Sequence, residues 1–264
     1  MAATGTGAFA PRFDIQTVIN RAMATLRAHG VVLVLGSLLI IGATMSGSRF
    51  LLQSVMTAWT AADGVGFTRT FWLTEVMGMF DMICGALVTA WVAVVVITGQ
   101  ADPAGADPGA ALGLVFRRAS PIAIQTFILA VGMIFGLILL VVPGVLLMLG
   151  WALATPAMMA ERLSPIQALR RSWRLTRGYR GGVFALFLVW VVPLLVIEVL
   201  LAKLFGGPGT FVRQLASPSM RLWVLPIVGA FTHVVFAAGL ASAYVELVNL
   251  KEGGVASRIG EVFA

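Results

Sequence analysis

Long apolar runs separated by short polar segments form the dominant pattern of the chain. A helix needs roughly 20 apolar residues to cross about 30 Å of bilayer hydrocarbon. Six runs suit that length, and we predict them as transmembrane helices one to six, at 31–47, 76–98, 122–142, 145–160, 183–202 and 222–248. The predicted fold is therefore an all-α polytopic membrane protein whose six transmembrane helices pair into three hairpins.

A second, weaker pattern precedes helices one, three and five. Asp14, Asp107 and Ser164 are good helix N-caps, and after each of them apolar residues return every three to four positions. Pro108 and Pro165 occupy the first helical position, which tolerates proline. Because these segments also carry arginines and are too short to span, we predict short amphipathic helices at the head-group boundary.

The two patterns together indicate three copies of one unit, an interfacial helix followed by a transmembrane hairpin. The predicted units are 15–98, 108–160 and 165–248, between a flexible N-terminal tail at 1–14 and a cytoplasmic C-terminal tail at 249–264. The alternative is that basic, amphipathic loops occur in any polytopic protein and no repeat exists. Both interpretations remain open at this stage.

Prolines predict where the helices turn or bend. Helices three and four cannot be one helix, because about 40 helical residues would extend roughly 60 Å, twice the hydrocarbon thickness. We therefore predict a tight reversal at Pro143-Gly144. Pro156, Pro193 and Pro226 are predicted to kink helices four, five and six.

Composition supports the membrane interpretation. The chain is 59% hydrophobic and only 11% charged, against about a quarter charged in soluble domains, so it cannot cover a globule with polar surface. The first fourteen residues lack the apolar core of a signal peptide, and we expect no cleavage there. Cys84 is the single cysteine. An internal disulfide and a multi-cysteine metal site are therefore excluded, and Cys84 is expected to pack in the protein interior.

The chain has a formal net charge of +7, and its arginines are gathered between the apolar runs. With the N-terminus inside, thirteen of the eighteen basic residues fall in cytoplasmic segments, as the positive-inside rule requires. We therefore predict that both termini are cytoplasmic and that the basic residues face anionic lipid, with no nucleic-acid partner. The thirteen are Arg12, Arg21, Arg27, Arg117, Arg118, Arg162, Arg170, Arg171, Arg174, Arg177, Arg180, Lys251 and Arg258.

The stretch 143–179 is the most distinctive part of the sequence and reads PGVLLMLGWALATPAMMAERLSPIQALRRSWRLTRGY. It begins with a proline-glycine pair and ends with an arginine-rich segment. Between them lies a predicted helix, which ends in a small residue followed by proline and then an acidic residue. The matching positions are Pro143, Gly144, Pro156, Glu161 and 168–178. This stretch resembles the glycerophosphoryl diester phosphodiesterase membrane-domain family and the related YciC-like bacterial inner-membrane proteins.

The resemblance implies a multi-span module of the bacterial cytoplasmic (inner) membrane. Some relatives carry this module beside a phosphodiesterase barrel. Phosphodiester hydrolysis by such a barrel needs carboxylates and histidines clustered around a metal in a soluble domain. Six spans fill this chain, so we expect no counterpart of the barrel in it. The phosphodiesterase activity in the family's name is therefore not expected of this chain.

The arginine-rich segment is the first candidate site. Arg170, Arg174 and Arg177 fall at i, i+4 and i+7 on one side of the predicted helix, next to Arg171 and Trp173. Guanidinium groups placed this way can bind lipid phosphates, and tryptophan favours the head-group level. This predicts an anionic phospholipid partner. The alternative is that these residues only fix the orientation of the helix on the membrane.

Three polar residues inside the predicted spans form the second candidate site. An ionised group at mid-membrane costs about 3 kcal/mol unless it is paired or wet. If Asp81, Glu198 and His233 converged, they would form a proton or cation path, and the chain would be a small-solute or ion transporter or channel. The alternative is that they make separate interhelical hydrogen bonds or lie at the interface.

Small residues predict where helices pack. Gly132 and Gly136 form a G-x-x-x-G pattern on helix three, and Gly239 lies in a run of small residues on helix six. Close backbone approach drives helix association in lipid, so both are predicted contact surfaces, within one chain or between chains.

The sequence contains few residues or motifs that could support catalysis. It contains no H-E-x-x-H, P-loop or G-x-S-x-G motif, and His29 and His233 are its only histidines. We therefore predict a non-enzymatic integral membrane protein, without cofactor or metal, that engages phospholipid head groups or membrane partners through its arginine-rich cytoplasmic helices.

Overall fold

A computed structural model describes residues 13–62, 67–100, 102–139, 141–204, 217, 220 and 224–253, except for the side chains of 56–62, 67–70, 137, 139, 141 and 198. Most of the predicted tails, 1–12 and 254–264, lie outside the described residues. The regular elements within these ranges are helical. They are α1 (Ile15–Ser37), a π-helical turn (Leu38–Gly42), α2 (Ala43–Ala62), α3 (Phe67–Thr98), a 3-10 turn (Pro103–Gly105), α4 (Pro108–Arg117), α5 (Ala119–Leu139), α6 (Val141–Trp151), α7 (Ala154–Ala160), α8 (Pro165–Thr176), α9 (Arg180–Leu204) and α10 (Leu225–Glu252).

Six helical stretches in the described ranges are long and apolar enough to cross a membrane, which confirms the all-α polytopic fold. They cover Ile15–Val55, Phe71–Thr98, Ala119–Gly136, Val142–Ala160, Arg180–Leu204 and Leu225–Glu252. The stretches Ala119–Gly136 and Val142–Ala160 are joined by a short connection, as the hairpin prediction requires for helices three and four.

The first unit differs from the prediction, because its amphipathic segment is not a separate helix. Asp14 caps the start as predicted, accepting a hydrogen bond from the backbone N–H of Gln16 at 3.0 Å. The helix then continues through the π-helical turn into α2 without a break. No proline occurs between 15 and 62, and isolated glycines cost a helix only about 1 kcal/mol each. The helical path of helix one is therefore much longer than the predicted 31–47.

The second and third units do contain separate short helices, α4 and α8. Asp107 caps α4 by accepting from the Gly109 N–H at 2.8 Å. At the start of α8 the side-chain oxygen of Gln167 accepts from the Ser164 N–H at 3.1 Å. Past its end, Gly178 takes φ +91, a conformation that costs other residues energy, and the chain turns there into α9.

The predicted reversal at Pro143-Gly144 is displaced by a few residues. Helix α5 ends at Leu139 and α6 begins at Val141, so Pro143 and Gly144 lie in the first turn of α6. The first four N–H groups of a helix have no intrahelical acceptor, and a proline there removes no hydrogen bond. A proline-glycine pair therefore does not have to form the turn itself.

The predicted glycine pair of helix three packs inside the chain. A Cβ atom on Gly132 would lie 2.4 Å from the ring of Trp151, and one on Gly136 would lie 3.0 Å from the Cα of Gly144. These glycines thus allow α5 and α6 to approach closely. Gly239 is different, because a Cβ there would meet nothing within 4 Å.

Helix four is broken between α6 and α7. Pro156 lies in the first turn of α7, where the predicted kink falls. Because the helix is interrupted, the Gly150 carbonyl and the Leu153 N–H need hydrogen-bond partners outside it. Ser172 of α8 satisfies both of them: its hydroxyl accepts from the Leu153 N–H at 3.1 Å and donates to the Gly150 carbonyl at 2.7 Å. Pro193 lies inside α9, and Pro226 lies in the first turn of α10.

The densest packing lies at one end of the bundle. Residues 88 and 90–97 of α3 are buried, and α4, α5, α7 and α10 pack against α3. Helix α8 packs on α7 and α6. The other end exposes many large apolar side chains, including Leu39, Phe71, Ile138 and Leu200. We call the first end the arginine-bearing end, because Arg118, Arg162 and the arginines of α8 lie there.

Candidate functional site

Arg171 points inward and holds three helices together at the arginine-bearing end. Its Nε atom lies 2.7 Å from an oxygen of Glu161, and its Nη2 atom lies 2.8 Å from an oxygen of Glu252. The hydroxyl of Tyr244 donates to the same oxygen of Glu161 at 2.8 Å. We call Glu161, Arg171, Tyr244 and Glu252 the Arg171 network. Hydrogen bonds to Glu252 and Glu161 raise the pKa of Arg171, so it stays cationic.

Two further contacts fix α8 on its neighbours. The Nζ atom of Lys251 donates to the carbonyls of Arg174 and Arg177, at 2.7 and 2.8 Å, where the helix leaves carbonyls unpaired. The guanidinium of Arg180 lies 4.1 Å from the ring centre of Trp173. The same ring packs so closely on Gly150 that a Cβ there would lie 2.2 Å from it. The predicted interfacial Trp173 is therefore wedged between α6 and Arg180.

Beside these contacts lies an open groove of about 810 Å³, which we call the arginine groove. Arg170, Arg174 and Trp173 of α8 line it, with Trp151 of α6 and Ile128 of α5. The side chains of Arg170 and Arg174 are exposed and make no hydrogen bond or ion pair within the part of the chain that the structure describes. The groove therefore combines two uncommitted guanidinium groups with an apolar wall.

The five residues of the predicted arginine site thus separate in the structure. Arg170, Arg174 and Trp173 line the groove together, whereas Arg177 is exposed at the C-cap of α8 and does not line it. Arg171 also borders the groove, but its donors are used by the Arg171 network. Sequence reasoning missed this network. The signal for it is spacing, because Arg171 falls three residues after buried Ala168 and four before buried Leu175.

A second cavity, about as open to its surroundings as the arginine groove, lies among the spans, and we call it the central cavity. Its volume is about 570 Å³, and α2, α3, α5, α6, α7, α9 and α10 all contribute to its lining. Asp81 and His233 both line it, so the structure brings together two of the three predicted intramembrane polar residues. The side chain of Glu198, the third, lies outside the described residues. Trp151 lines both the central cavity and the arginine groove.

The two polar residues have different partners. The Nε2 atom of His233 lies 2.8 Å from the carbonyl oxygen of Gly85 and 2.9 Å from the hydroxyl of Thr89. A Cβ on Gly85 would lie 3.3 Å from the ring, so a small residue there admits the imidazole. Asp81 accepts from the hydroxyl of Ser48 at 3.1 Å. Within the described ranges no basic side chain pairs with Asp81.

Neither site offers a metal-ligand set, since the described residues contain no group of three or more histidine, cysteine, aspartate or glutamate side chains able to hold an ion. Compared with known proteins, the chain matches no family model, no curated protein and no solved structure. Function is therefore inferred from the arginine groove and the central cavity themselves.

Proposed function

We propose that this chain is a non-enzymatic protein of the bacterial cytoplasmic membrane that binds anionic phospholipid head groups in the arginine groove. Both termini lie in the cytoplasm in this proposal, so the arginine-bearing end faces the cytoplasmic leaflet. The observation that carries the proposal is the pair of exposed guanidinium groups of Arg170 and Arg174 beside an apolar wall.

The groove suits the two chemical parts of a phospholipid. Arg170 and Arg174 lie one helical turn apart, about 6 Å along the axis, so both can reach one phosphate group. Trp151 and Ile128 offer apolar surface for the glycerol and the first acyl carbons. Indole rings favour this level of a membrane, and each arginine near anionic lipid contributes about 1 kcal/mol.

The Arg171 network supports the same role by holding α8 in place. It ties α8 to α7 through Glu161 and to α10 through Glu252. Arg170 and Arg174 are thereby presented from a fixed helix, and binding costs less conformational entropy than it would on a mobile loop.

The resemblance of 143–179 to the membrane-domain family fits this proposal. Apart from Ile128, every residue that lines the groove comes from that stretch. We therefore propose that the family-like segment forms a lipid-binding surface, and that the phosphodiesterase activity of larger relatives is absent here.

The test compares two double variants that lose the same charge. R170Q/R174Q removes the groove arginines, while R27Q/R117Q removes two exposed arginines from α1 and α4. Native mass spectrometry of the detergent-purified protein counts bound phosphatidylglycerol against phosphatidylcholine. We expect R170Q/R174Q to bind phosphatidylglycerol roughly 30-fold more weakly, about 2 kcal/mol, and R27Q/R117Q to bind like the parent. Equal binding by all three proteins would refute the proposal.

A further inference from the structure

We infer that the central cavity is a binding site for a hydrophobic organic cation, whose positive charge pairs with the carboxylate of Asp81. This site is separate from the arginine groove, and the inference does not depend on lipid binding there. It rests on the charge, the lining and the size of the cavity.

The charge of Asp81 calls for a positive partner. A carboxylate within a membrane span is costly unless it is paired, wet or protonated. Among the described residues Ser48 alone donates a hydrogen bond to Asp81, and no lysine, arginine or histidine forms an ion pair with it. A hydroxyl donor does not neutralise a carboxylate. A cation in the adjoining cavity would.

The lining of the cavity fits a cation with an apolar body. Three aromatic side chains, Trp151, Phe187 and Phe236, border it, and aromatic rings attract positive charge. Four methionines contribute adaptable apolar surface: Met45, Met82, Met133 and Met148. A strongly hydrated metal ion would find too few oxygen ligands here, whereas a large organic cation would bury its surface against these groups.

The volume and the position of His233 agree with this occupant. Pockets of about 300–1,000 Å³ hold drug-sized molecules, and the central cavity has about 570 Å³. His233 is held on the wall by the Gly85 carbonyl and Thr89, on the two turns of α3 that follow Asp81. It shapes the cavity beside the carboxylate without pairing with it.

Equilibrium binding of radiolabelled tetraphenylphosphonium to the detergent-purified protein tests the inference. Asp81→Asn removes the charge at almost constant shape, and Asp81→Glu keeps it. Glu75→Gln is the matched control, because Glu75 is exposed on the same helix and does not line the cavity. We expect D81N to bind roughly tenfold or more weakly, with D81E and E75Q close to the parent.

Two further measurements locate and define the site. Ala130→Phe fills part of the cavity while leaving Asp81 in place, and we expect it also to lose binding. Neutral triphenylphosphine oxide should not displace the labelled cation. Unchanged binding by D81N, or equal competition by the neutral compound, would overturn the inference. Thermal unfolding and gel filtration of each variant verify that lost binding is not lost folding.

Discussion

At the scale of single residues, Arg170 and Arg171 show how one position along a helix changes the role of a side chain. Arg170 lies on the outer face of α8 and is exposed, whereas the side chain of Arg171 is only 12% exposed. A guanidinium that is mostly buried needs acceptors for its donors, and Glu161 and Glu252 supply them. The run of arginines therefore contains both a structural residue and candidate ligand-binding residues.

This division predicts unequal stability effects of two adjacent substitutions. Arg171→Gln removes the cation that hydrogen-bonds to both Glu161 and Glu252, and we expect the free energy of unfolding to fall by about 2 kcal/mol, since the carboxylates are partly exposed. Arg170→Gln should change it by less than about 0.5 kcal/mol. Thermal unfolding of both variants in detergent measures the difference. Equal melting temperatures would show that the network contributes no stability.

Gly150 gives a second prediction at this scale. A Cβ there would lie 2.2 Å from the Trp173 ring, so Gly150→Ala should force the ring out of place and destabilise the protein by about 1–3 kcal/mol. Gly113→Ala is the control, because nothing lies within 4 Å of its Cβ position and alanine favours a helix. Its melting temperature should stay or rise. A double variant with Trp173→Leu should recover part of the loss at Gly150.

At the scale of elements, the sequence predicts features that depend on neighbouring residues, such as helix caps, but not contacts between different helices. The caps at Asp14 and Asp107 depend on residues close in sequence, and the structure contains both. The reversal was misplaced because Pro143 is tolerated in a first helical turn as well as in a turn between helices. The bridge from Ser172 to the break in helix four joins residues of different helices, so no local pattern indicates it.

The Ser172 bridge predicts the third stability effect. Ser172→Ala removes the acceptor of the Leu153 N–H and the nearer of two donors to the Gly150 carbonyl, which the Thr176 hydroxyl reaches only at 3.4 Å, in a buried setting. We expect a loss of about 1–2 kcal/mol, because both backbone groups lose a partner out of contact with water. Ser120→Ala, an exposed site on α5, serves as the control. If both variants have the same melting temperature, another group or water must pair with the Leu153 N–H and the Gly150 carbonyl.

At the scale of the whole molecule, the class follows from the sequence but the sites do not. The number and length of apolar runs sufficed for the all-α polytopic fold. Whether Asp81 and His233 line the same cavity depends on the rotation of α3 and α10 about their axes. Neither helix has a strongly polar face from which that rotation could be predicted. Arg170 and Arg174 could be chosen from their spacing, but the apolar wall from Ile128 and Trp151 comes from other helices.

Orientation is the remaining whole-molecule property, and it decides which leaflet the arginine groove faces. In a Cys84→Ala background, Arg117→Cys and Lys203→Cys place single thiols at exposed positions near opposite ends of the bundle. With both termini inside, a membrane-impermeant maleimide added to intact cells should label Lys203→Cys and leave Arg117→Cys unlabelled until the membrane is permeabilised. The reverse result would put the densest arginine cluster outside, against the positive-inside rule, and would remove the anionic cytoplasmic leaflet as the source of the lipid.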